Sequence, residues 1–170
     1  MFELFDQADL DDQNQVVIAL AVFFHDIVYD AKRNDNELMS IEVFKQFAAD
    51  ISLEQQLLDR VGLFIAATIA HAVPAQARSH HLTLFLDFDL AILGMPPETY
   101  DEYAQQIRQE YIHFPDDAYA SGRAAVLSKF SGRDTLFFHK SMQERFEAQA
   151  RENVVREIRA LTKGSSDPAM

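Results

Sequence analysis

Apolar residues recur at spacings of three and four along almost the whole chain, and strict alternation of apolar and polar positions persists nowhere. This pattern predicts an all-α protein. Residues 1–9 read as the last turns of a helix. Asp11 or Asp12 can cap the next, predicted from about Gln13 to Tyr29, with Val16, Val17, Leu20, Phe23, Phe24 and Ile27 available for burial. Because that helix is apolar nearly all round, it is expected at the centre of the fold. A polar loop, 30–35, precedes a helix from Asn36 to about Ala49 with Leu38, Ile41, Phe44 and Phe47 on one stripe. Ser52 and Gln55 have capping-box spacing for a helix that carries Leu57, Leu58, Val61, Phe64, Ile65 and Ile69 and ends near His71.

A loop containing Pro74 leads to a helix from about His80 to Leu93, stopped by Gly94 and Pro96. Pro97 fits the first turn of the next helix, in which Tyr100, Tyr103, Ala104, Ile107 and Tyr111 repeat. Pro115 and Asp116 open another, with Tyr119, Val126 and Phe130, and Ser141 with Glu144 caps a last one through Phe146, Ile158 and Leu161. The expectation is an all-α bundle of about seven helices forming a single domain over residues 1–163, followed by a disordered tail, 164–170.

Composition narrows the function. The chain has 170 residues, 48% hydrophobic, enough to bury a core without covalent staples. It contains no Cys, which removes disulfides, thiolate metal sites and cysteine nucleophiles and suits a cytoplasmic location. The formal net charge of −12 repels nucleic-acid backbones and anionic lipid, so neither duplex nucleic acid nor a membrane is an expected partner. No targeting segment is visible, and the longest apolar run, Val16 to Phe24, is too short to span a bilayer. Small phosphorylated molecules remain open as ligands where a metal or local cations offset the charge. The 14 Phe residues are compatible with a helix-mediated homodimer.

The glycines are scattered, so there is no phosphate-cradling loop, and GxSxG and HExxH are missing as well. What remains is a set of His and Asp residues in apolar surroundings. His25 and Asp26 interrupt an apolar helix, where a carboxylate is costly unless paired. Side chains of adjacent helical positions diverge by about 100° and can touch one cation lying between them. A hydrogen-bonded core pair is the bland alternative. Asp87 and Asp89 form a second acidic pair; two apart on a helix they diverge, so only one is expected beside Asp26. His71, at a helix end, can interact with the helix dipole or serve a pocket, including a second metal ion.

The blocks Phe24-His25-Asp26-Ile27-Val28-Tyr29-Asp30, Asn36-Glu37-x-x-Ser40, Thr68-x-x-His71, Leu86-Asp87-Phe88-Asp89-Leu90-Ala91-Ile92-Leu93-Gly94, Glu110-Tyr111, Gly122-Arg123 and Ala150-Arg151-Glu152-Asn153 resemble the predicted metal-dependent phosphohydrolases of the HD superfamily. The resemblance runs from Val16 to Leu161. It implies an all-helical HD domain that binds a divalent metal (Mn, Mg, Fe, Co or Zn) through a His, a His-Asp pair and a distant Asp. The pair maps to His25 and Asp26, and the distant Asp to Asp89, with Asp87 the competing register. The family's first His lies on a helix upstream of the pair, and residues 1–24 contain none, so the chain is expected to lack that ligand-bearing part.

The resulting expectation is hydrolysis of a small phosphoester, such as a nucleotide, by a metal-activated water. Glu37 is the candidate to accept the water proton. Lys32 and Arg33, with the N-terminus of the helix that begins near Asn36, supply local positive potential for the substrate. The alternative is a non-catalytic protein that keeps the helical scaffold for ligand binding or dimerisation.

Overall fold

A computed structural model describes residues 1–73 and 79–163; Pro74 and the expected tail at 164–170 lie outside the described residues. Every regular element among the described residues is helical. The helices gather into two compact units, Met1–Asp89 and Leu90–Met170.

The first unit contains α1 (Phe2–Asp6), α2 (Asp12–Phe24), α3 (Asn36–Asp50), α4 (Gln55–Thr68) and, but for its last residue, α5 (His80–Leu90). Asp11 caps α2, its carboxylate accepting from the Asn14 backbone N–H at 2.9 Å. α4 packs on both α2 and α3. Val17, Ile18, Ala21, Phe44, Val61, Ile65, Leu82, Phe85 and Leu86 are buried, and Phe24 lies 5.2 Å from Phe44 and 5.1 Å from Phe47 between ring centres. Arg60 on α4 donates to Asn14 on α2 at 2.6 Å, fixing that crossing with a polar bond.

Three expectations for this unit are corrected. α2 stops at Phe24 rather than Tyr29, because side chains of α3 take over the backbone groups that follow. Val28 N–H donates to Ser40 Oγ at 3.1 Å and Ser40 Oγ donates back to Val28 O at 3.3 Å. Asp30 N–H donates to Asn36 Oδ1 and Asn36 Nδ2 donates to Asp30 O, both at 3.0 Å. Nor is α2 buried all round: Val16 and Phe23 are exposed, at 46% and 58%, as is Ile27 beyond its end, at 44%, since α3 and α4 cover only part of its circumference. The capping box at Ser52 and Gln55 does not form. Ser52 takes a left-handed conformation (φ 55°) with its N–H on Ala49 O, so it closes α3, and Glu54 precedes α4 without a side-chain cap.

The second unit contains a 3-10 turn (Ala91–Gly94), α6 (Pro97–Glu110), α7 (Asp116–Ser131) and a last helix in three parts: α8 (Lys140–Met142), a π turn (Gln143–Glu147) and α9 (Ala148–Lys163). The helix expected to reach Leu93 thus tightens after Leu90. Ser141 does not cap the last helix, which starts at Lys140 behind His139, and Val126 is exposed rather than core. α9 packs against α7, α6 and the 3-10 turn. At the turn the backbones nearly touch: a Cβ on Gly94 would lie 2.6 Å from Phe146 Cβ and 2.7 Å from Phe146 O. The fully buried Asn153 donates to Leu93 O and Met95 O, each at 2.9 Å, on either side of that glycine.

Two ion pairs complete the frame of this unit. Arg123 on α7 donates to Glu157 on α9 at 2.9 and 3.3 Å, and the buried Tyr100 hydroxyl donates to the same carboxylate. Arg151 donates to Glu147 at 2.7 Å and to the carbonyls of Ser131, Arg133 and Asp134, holding the chain that leaves α7. Glu147 in turn accepts the backbone N–H groups of Leu136 and Phe137.

Candidate functional site

His25, Asp26, His71 and Asp89 meet in the first unit. His25 is the residue that ends α2, its N–H still bonded to Ala21 O, and Asp26 follows it into the turn. His71 lies just beyond α4 and Asp89 next to the end of α5. The His25 ring is aimed by its own helix: Nδ1 donates to Val22 O at 3.0 Å. Its Nε2 then faces Asp26 Oδ2 at 3.2 Å and Asp89 Oδ1 at 3.6 Å. The other oxygen of Asp89, Oδ2, accepts from His71 Nε2 at 2.6 Å. The edge-on ring of Phe85, 6.0 Å away, backs the imidazole of His25.

The four side chains differ in access. His25, Asp89 and His71 are mostly covered, at 12%, 20% and 23% exposure, whereas Asp26 is 58% exposed and opens the cluster to solvent. Burial by itself would lower the pKa of His25, but the carboxylates of Asp26 and Asp89 overcome it and raise the pKa to about 10. Burial pushes Asp89 upward, and hydrogen bonds from His25 and His71 reverse this and hold it well below the usual carboxylate range. Both ring nitrogens of His25 face oxygen acceptors, so the ring carries a proton on each and neutralises part of the acidic pair.

Asp89 is the member of the second acidic pair that reaches His25; Asp87, two residues earlier on α5, is fully buried on another side of the helix. Glu37 sits half-buried in the first turn of α3 and makes no hydrogen bond to the cluster. Lys32 and Arg33 lie exposed in the preceding loop. Arg33 forms a two-pronged pair with Asp35 at 2.8 and 2.7 Å, which cancels much of its field. Both ends of the Asn36 carboxamide are engaged by the backbone of Asp30, so Asn36, like Ser40, secures the loop that follows the His-Asp pair. That structural duty of Ser40 was not read from the sequence; a small hydroxyl residue on the inner face of a helix, beside a polar loop, is its only local signal.

Two imidazoles and two carboxylates are a donor set that suits divalent ions of the Mn, Fe, Co and Zn type. In kind the residues therefore fit such a metal. In arrangement the donors face one another at hydrogen-bond distances, and among the described residues no group of three or more His, Asp and Glu side chains is spaced to hold an ion. Among the described residues, too, no helix is long and apolar enough to cross a membrane. Comparisons with protein-family models, with curated proteins and with solved structures find no match to the chain.

Proposed function

We propose that the protein is a metal-dependent phosphohydrolase of the HD type, acting on a small phosphoester in the cytoplasm. The observation that carries this reading is the meeting of the adjacent His25 and Asp26 with Asp89 from a separate helix, with His25 and Asp89 mostly covered and Asp26 exposed. His25, Asp26 and Asp89 would hold the ion, which when bound lowers the pKa of a water and polarises a phosphoryl oxygen. The chain's own groups prepare for it. The Val22 carbonyl fixes the Nδ1 proton of His25, so that loss of the other proton leaves the Nε2 lone pair directed at the carboxylates. The exposed Asp26 keeps one side accessible to substrate. Glu37 is the group assigned to take the water proton, and the exposed Lys32 the group assigned to draw in the phosphate, Arg33 being paired with Asp35 and Asn36 with the backbone of Asp30.

Metal binding to the whole chain, followed by calorimetry with Mn²⁺, Mg²⁺, Fe²⁺, Co²⁺ and Zn²⁺, tests the reading together with hydrolysis of a phosphoester panel that includes nucleoside monophosphates. Binding that disappears in Asp26→Asn and Asp89→Ala, but survives in Lys32→Ala, is the expected result, with protons released on binding as the His25 Nε2 proton is displaced. Absence of both binding and turnover favours the second reading, a helical binding or dimerisation protein. That reading has its own support in the mutual pairing of the four polar groups and in the exposed Val16, Phe23 and Ile27.

A further inference from the structure

His71 follows α4 in a left-handed backbone conformation, with φ 44° and its N–H on Thr68 O at 3.3 Å. This is the position after a helix where glycine is the usual residue, because a Cβ is disfavoured there. A turn alone gives no reason to keep an imidazole at that place. The side chain supplies one: Nε2 donates to Asp89 Oδ2 at 2.6 Å, the shorter of the two contacts that imidazoles make with that carboxylate. A carboxylate on a helix side chain can rotate about its terminal bond, and an oxygen bound at a fixed donor ends that freedom. With Oδ2 held by His71, Oδ1 is left facing His25 Nε2.

From this geometry we infer that His71 is a positioning residue which orients Asp89 for the site, rather than a ligand of a second ion. Its imidazole presents an N–H, not a lone pair, to Asp89, so it acts on an ion at His25, Asp26 and Asp89 through the carboxylate. Supporting groups of this kind typically change metal affinity by about 10- to 100-fold when lost. The inference rests on the proposed metal site, and its tests separate the two.

His71→Gly keeps a residue suited to the left-handed turn and removes only the imidazole. His71→Gln places an amide N–H near the position of Nε2. Expected is Mn²⁺ binding weakened about 10- to 100-fold in His71→Gly and largely restored in His71→Gln, with one ion per chain in each. Unchanged Mn²⁺ affinity in His71→Gly, or a second ion that the wild-type chain binds and His71→Gly loses, overturns the inference. If the wild-type chain binds no Mn²⁺, the metal reading fails and ¹⁵N spectra of the imidazoles decide on positioning alone. A His25 Nε2 signal that shifts in His71→Gly and returns in His71→Gln sustains it; a His25 signal indifferent to both refutes it.

Discussion

Replacing Gly94 by Ala isolates the closest approach in the second unit. The added Cβ would meet Phe146 at its Cβ (2.6 Å), its carbonyl oxygen (2.7 Å) and its Cα (3.0 Å). None of these is the far end of a flexible side chain, so relief requires the 3-10 turn and the last helix to separate. Overpacking of a well-filled site costs about 1–3 kcal/mol. Separation also stretches the bonds from Asn153 to Leu93 O and Met95 O, and a buried acceptor left short of its donor costs about 1–3 kcal/mol. These costs share one displacement and do not simply add, so we expect a loss of about 3 kcal/mol, equivalent to roughly 6–12 °C in Tm for a chain of this size. Urea and thermal melts followed by circular dichroism measure it. The companion change Asn153→Ala, combined with Gly94→Ala, should cost clearly less than the sum of the singles, because both loosen the same contact. A Gly94→Ala protein within about 0.5 kcal/mol of wild type refutes the reasoning.

Glu157→Gln should destabilise the second unit by about 3–5 kcal/mol, since it leaves the Arg123 guanidinium mostly covered without its counter-charge; urea unfolding measures it, and a change within about 0.5 kcal/mol refutes the assignment. Without metal, the contribution of His25 should be full below its ordinary pKa of 6.5 and be lost as pH rises through about 10, because the folded state holds the proton more tightly than the unfolded chain. His25→Gln should flatten that decline in a pH series of melts, and an identical slope in the variant contradicts the protonated assignment.

The helical class was legible because spacings of three and four are a local property of each segment. Residues whose environment depends on distant parts of the chain were harder. The end of α2 is set by Ser40 and Asn36, which belong to the next helix, so the apolar run alone extended it to Tyr29. Ser52 has the chemistry of a helix start, yet the chain uses it to finish α3 in a left-handed turn. Spacing shows that Asp87 and Asp89 diverge, but only the packing of α5 selects which of them faces His25. The motif blocks divide in the same way: His25, Asp26, His71 and Asp89 gather at the cluster, whereas Gly94, Asn153, Arg151 and Arg123 lock backbones and ion pairs in the second unit. A conspicuous string of residues thus marks structural fastening as readily as chemistry.

The fastening of the loop after Asp26 to α3 determines what could be transplanted. His25 leaves α2 on its final turn, and the chain just beyond Asp26 is bolted at Val28 by Ser40 and at Asp30 by Asn36. A His-Asp dipeptide grafted onto the end of another helix would carry the imidazole and the carboxylate without the brace that sets their direction. The smallest portable form of this half of the site is therefore α2, the loop and α3 together, inherited or redesigned as one piece.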